Sequence, residues 1–193
     1  MTQISKTHFR EKIMEHPVLF FTALFSLITG LVCGISICFS LYRGAVFTKT
    51  ALLIEYGVNY NVFAGLARAF AIYTLFYLLV SLVSINGLFM PVSLITFLFY
   101  GFLSGLTLAS LIYEFNLWGI LYSVLLFVPN IMVATAMLLC FMRLKKAEKY
   151  KKLTAKSNKN EKVTSFGREI MLLFIAIGTE GLVIPLTLRL LLY

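Results

Sequence analysis

Long apolar runs, each closed by a short polar or glycine-containing break, dominate the pattern along this chain. The first, Val18 to about Leu41, carries no charge and is long enough to cross a hydrocarbon core of about 30 Å at about 1.5 Å per residue. From Tyr42 to Val62 the pattern turns mixed: Arg43, Lys49, Glu55, Asn59 and Asn61 stand among Phe47, Leu52 and Ile54, as in an interfacial segment. A second run, Phe63 to Ser84, has Arg68 near its start, where a long side chain can reach the headgroups. Asn86-Gly87 then marks a tight turn. The third run, Leu88 to Ile112, carries Pro91 in its first turn, where a missing amide N–H costs least. Tyr113 to Asn116 is the next turn. The fourth run, Leu117 to Met142, opens with Trp118 in a position that belt aromatics favour and is interrupted by Pro129. After a basic stretch, the last run extends from Glu169 to about Leu191, with Glu180 midway, Pro185 beyond it and Arg189 near the exit.

This pattern predicts an all-α fold, a polytopic membrane helix bundle of about five transmembrane helices. The expected organisation is a cytoplasmic N-terminal tail over 1–17, four helices over 18–142 with an external interfacial segment at 42–62, a basic cytoplasmic loop over 143–168 and a fifth helix over 169–193. The run after Pro17 is too long for the apolar core of a signal peptide and reads as a retained anchor.

Composition sharpens the picture. Of 193 residues, 60% are apolar and only 13% charged, and the mean hydropathy is +0.92. The eight acids are all glutamates. A soluble enzyme is excluded, and five crossings leave no room for an extramembrane domain with its own core.

The net charge of +9 would suggest nucleic acid in a soluble chain, but its distribution argues against that. Ten of the seventeen basic residues lie between Arg143 and Arg168, with only Glu148 and Glu161 against them. With the N-terminus inside, the cytoplasmic side collects those ten with Lys6, Arg10 and Lys12, thirteen in all, whereas the outside collects only Arg43, Lys49, Arg68 and Arg189. Thirteen against four places the N-terminus in the cytoplasm. The basic loop serves as that topogenic signal and attracts anionic lipid, with an acidic protein partner as the alternative.

Two GxxxG patterns fall within spans, Gly30 to Gly34 and Gly101 to Gly105. Such spacing lets helix backbones approach closely, either within the chain or in a homodimer. Glu180 is the acid that hydropathy places near the midplane, where a charge demands a partner, a proton or water. Asn130 follows Pro129 at comparable depth in the fourth span, and the proline frees a backbone carbonyl one turn earlier. Glu180 and Asn130 are therefore expected to meet. Their roles stay open between pinning spans four and five, transport or proton coupling, and partner binding. Cys33, Cys38 and Cys140 lie in apolar runs without metal-type spacing and read as small core residues. No catalytic, cofactor or metal motif is present, so the expectation is a non-enzyme without cofactors.

From Gly87 to Leu139 the chain reads Gly-Leu-Phe-Met-Pro, then Tyr-Gly-Phe-Leu-Ser-Gly-Leu-Thr, Trp-Gly-Ile-Leu and Phe-Val-Pro-Asn. In this it resembles the stage II sporulation protein M family: Gly101, Gly105 and Thr107 fit its glycine-rich span, Gly119 its turn, and Pro129 with Asn130 its following element. The resemblance implies a membrane scaffold that recruits the peptidoglycan-remodelling stage II sporulation proteins D and P to the septal or engulfing membrane of a spore-forming bacterium. A permease-like subunit using Glu180 and Asn130 is the alternative. For a scaffold, Phe47, Leu52, Ile54, Tyr56 and Tyr60 are the candidate external docking residues, because aromatic and large aliphatic groups dominate interface energies. An interfacial helix resting in the headgroups would use the same residues.

Overall fold

A computed structural model describes residues 17–41, 62–84, 90–115, 117–151 and 159–183, all of them helical. The elements are α1 (Pro17–Leu41), α2 (Val62–Ser84), α3 (Met90–Phe115), α4 (Leu117–Lys151) and α5 (Lys159–Gly178), which runs into one π turn (Thr179–Val183). Helices α1 to α4 are each long and apolar enough to cross a membrane. The protein is an all-α, multi-pass membrane bundle. The fifth expected span is described only as far as Val183; its remainder and the segment 42–61, with its five candidate docking residues, lie outside the described residues.

Pro17 occupies the first position of α1, where its fixed φ suits a helix start and its missing N–H has no partner to lose. Helix α1 packs chiefly on α3, and the two glycine pairs are what make this possible. A Cβ on Gly30 would sit 2.0 Å from the Leu98 carbonyl oxygen and one on Gly34 2.2 Å from that of Phe102. From the other side, a Cβ on Gly101 or Gly105 would come within 2.1 and 2.2 Å of the Leu27 and Leu31 carbonyl oxygens. Residue numbers rise together on both helices, so α1 and α3 run parallel with their GxxxG faces against each other. Both faces are thus covered within one chain, which leaves neither glycine pair open to a second copy.

Helices α3 and α4 form a tight antiparallel hairpin. Gly119 fits against the backbone of Leu111, where a Cβ would lie 2.0 Å from the carbonyl oxygen. The Ser123 hydroxyl donates to the Leu108 carbonyl at 3.0 Å. The main core gathers Tyr73 and Val80 of α2, Phe97 of α3, Val133, Ala136, Met137 and Phe141 of α4, and Leu173 and Ala176 of α5. Phe97 meets Phe141 edge-on at 5.8 Å and Phe76 meets Tyr100 at 5.1 Å, geometries the ring quadrupoles favour. Most of the large apolar side chains of α1 point outward, Phe21, Phe25 and Val32 among them, as befits a helix bathed in lipid. Cys38 and Cys140 are buried as expected, whereas Cys33 lies on the outer face of α1.

One expectation needs correction. The basic loop was to begin at Arg143, with no helical content foreseen, but α4 continues unbroken to Lys151 and α5 already starts at Lys159. The reason is propensity: Leu144, Ala147, Glu148 and the lysines are good helix formers, and cations in the last turns of α4 complement its macrodipole. Amphipathic spacing was absent there, but an extension that faces water needs none.

Candidate functional site

Three tyrosines organise the polar groups inside the bundle. Tyr73 and Tyr77 are four residues apart on α2 and share one face. Glu169 and Glu180 are eleven residues apart, close to three helical turns, and so share one face of α5 and its π turn. These two faces meet. The Tyr73 hydroxyl donates to the Glu180 carboxylate, and the Tyr77 hydroxyl donates to Glu169 Oε2 at 2.7 Å. Glycines at 178 and 181 flank Glu180, weakening the regular helix where the π turn forms. Gly181 also lets the turn press on α2, since a Cβ there would lie 2.7 Å from a methyl of Leu66.

Glu169 is fully buried and makes an ion pair with Arg143 of α4, Nη2 to Oε2 at 3.0 Å. The Arg143 guanidinium, still 19% exposed, also lies 5.0 Å from the centre of the Phe166 ring and donates to Cys140 Sγ at 3.8 Å. A buried carboxylate is tolerable only with such partners, because desolvation costs several kcal/mol per ion. Arg143, Glu169 and Tyr77 thus join α4, α5 and α2 at one end of the bundle.

The third contact is centred on Asn130, next to the buried Pro129. Its Oδ1 accepts from the Tyr100 hydroxyl at 3.1 Å and the Ser104 hydroxyl at 3.4 Å, and its Nδ2 donates to the Leu126 carbonyl at 2.9 Å. Asn130 therefore ties α4 to α3, beside the glycine that seats α1. Glu180 and Asn130 do not meet: the first is held by α2 and the second by α3. The expected pairing fails because equal depth in neighbouring helices says nothing of direction, and Asn130 points to the α3 side of α4.

Of the expected polar and packing residues, Pro129, Asn130, Gly101 and Gly105 cluster along α3 and its two neighbours, and Glu180 stands apart. Glu169, Arg143 and Tyr77 were missed. A usable signal was present, since Glu169 is the single acid directly flanking an apolar run otherwise guarded by basic residues, and paired tyrosines in an apolar helix require partners. Between the two carboxylates, Leu173, Ala176 and Ile177 are buried among apolar neighbours, so the contacts form separate ties. Among the described residues no three His, Cys, Asp or Glu converge as metal ligands would. Comparison with protein-family models, curated proteins and solved structures gives no match.

Proposed function

We propose that this protein is a non-enzymatic integral membrane scaffold of the stage II sporulation protein M type. It recruits peptidoglycan-remodelling proteins, stage II sporulation proteins D and P by resemblance, to the septal membrane during engulfment. What supports this most is that the buried polar side chains of the bundle are engaged with each other as ties between helices. Tyr73 holds Glu180, Tyr77 and Arg143 hold Glu169, and Tyr100 and Ser104 hold Asn130. Such a core keeps a fixed shape, which a platform for other proteins requires. A permease built on Glu180 and Asn130 would need the two side chains together, whereas each is held by other partners. Docking of the wall proteins falls to the external segment 42–62.

Deleting the gene in its own host and scoring engulfment by membrane staining tests the proposal. Arrest before engulfment is complete, with co-purification of a wall hydrolase lost, is the expected result. Normal engulfment would reject the scaffold role, and a neighbouring ATPase gene with a transport defect would move the assignment to a permease subunit.

A further inference from the structure

Helix α4 has 35 residues, which at about 1.5 Å per residue makes it about 52 Å long, against about 40–45 Å for a bilayer with its headgroups. It overshoots by about 10 Å, roughly one Debye length at physiological salt. Four crossings return the chain to the side of the N-terminus, so the overshoot emerges on the side that the basic residues mark as the inside. Helix α5 begins ten residues before Glu169 and enters the bundle from the same side. Both helices pass through the Arg143–Glu169 contact without interruption, and that contact, braced by Tyr77, fixes the base from which they leave the membrane.

The charge on these extensions is one-sided. Beyond Arg143 and before Glu169 lie nine basic residues and two glutamates. Lys145 and Lys149 are spaced i,i+4 and Lys159 and Lys162 i,i+3, so like charges share a face on each helix and repel. Lys159 and Lys162 also stand in the first turn of α5, where the helix dipole disfavours cations. Topology alone needs basic residues near the membrane, not a helix that carries them away from it. An anionic ligand would relieve both the repulsion and the dipole penalty, and the height above the headgroups favours a soluble ligand over lipid.

We infer that the projecting ends of α4 and α5 form a cationic arm that docks an acidic segment of a soluble protein on the inner side of the membrane. This site is distinct from the external segment assigned to wall proteins. It rests on the orientation given by the basic residues and survives failure of the scaffold role.

The test uses the full chain in phosphatidylcholine nanodiscs with a fluorescent oligoglutamate peptide as probe, read by anisotropy at physiological salt. Ala147→Pro keeps every charge but interrupts the helix outside the membrane. It should weaken peptide binding about tenfold, because a preformed surface must then be ordered on binding. Glu169→Gln adds one net positive charge yet loosens the base of the arm, and should also weaken binding. Wild-type affinity in Ala147→Pro, or tighter binding in Glu169→Gln, would mean that charge alone attracts the peptide and would overturn the arm. Equal parts of phosphatidylglycerol in the nanodisc should change the affinity by less than about threefold, since the arm stands a Debye length from the lipid. Loss of peptide binding in those discs would identify anionic lipid as the occupant and equally overturn the proposal.

Discussion

Tyr77 of α2 donates its hydroxyl to the same Glu169 oxygen, Oε2, that pairs with Arg143 of α4, so one buried carboxylate atom holds three helices together. Removing either partner leaves charge without compensation in a place water hardly reaches. Glu169→Ala should lower the stability of the bundle in detergent by about 3 kcal/mol, near the lower bound for a broken buried pair because Arg143 keeps some exposure. Arg143→Leu with Glu169→Leu should recover part of that loss. Thermal unfolding of the purified variants checks both, and a double variant less stable than Glu169→Ala would contradict the account.

The seat of α1 depends on four glycines. Gly30→Leu or Gly105→Leu drives a side chain into a backbone carbonyl, and backbone cannot step aside as a flexible side chain can. Each should cost about 1–3 kcal/mol and separate α1 from α3. Gly178→Ala is the internal control, since nothing lies within 4 Å of a Cβ there. Disulfide trapping between cysteines introduced at Leu27 and Gly101 reports the contact directly. Efficient trapping in Gly30→Leu would show that the glycines are not what seats the helix.

Much of the architecture was legible because hydropathy has length built into it: the boundaries of α1 to α4 follow the apolar runs to within a few residues. The GxxxG spacing likewise announced close contact, although not that the two patterns would face one another in parallel. Less visible were directions. Depth along a span can be counted from the sequence, but rotation about the helix axis depends on neighbours, and so Glu180 was matched to Asn130 instead of Tyr73. Glu169 escaped notice because a carboxylate at the end of an apolar run ordinarily faces water. Here the overlong α4 and α5 carry the boundary further along the chain and leave Glu169 inside.

Separate ties make a separable prediction. Glu180→Gln keeps a hydrogen-bonding side chain toward Tyr73 and should be tolerated in both abundance and function. Glu180→Leu and Tyr73→Phe should each destabilise by about 0.6–1.7 kcal/mol, the range for interhelical hydrogen bonds in membranes. Combined, they should cost no more than one alone, because they remove the same contact. Glu180→Leu with Asn130→Leu should instead be additive within about 0.5 kcal/mol. Strong coupling between Glu180 and Asn130, or a stable but inactive Glu180→Gln protein, would restore the transport assignment.

Orientation supplies the last prediction. Parallel α1 and α3 require α2 to return across the membrane between them, so residue 50 lies on one side and residue 155, after two further crossings, on the other. Thirteen basic residues gather on the side of residue 155 and the N-terminus, a bias that holds loops in the cytoplasm because Lys and Arg resist translocation. Single cysteines at Thr50 and Ala155, in a background where Cys33, Cys38 and Cys140 are replaced by alanine, separate the sides. A membrane-impermeant maleimide applied to intact cells should label position 50 and reach position 155 only after permeabilisation. Labelling of position 155 from outside would invert the protein, place the cationic arm beyond the cytoplasm and put segment 42–62 out of reach of wall proteins.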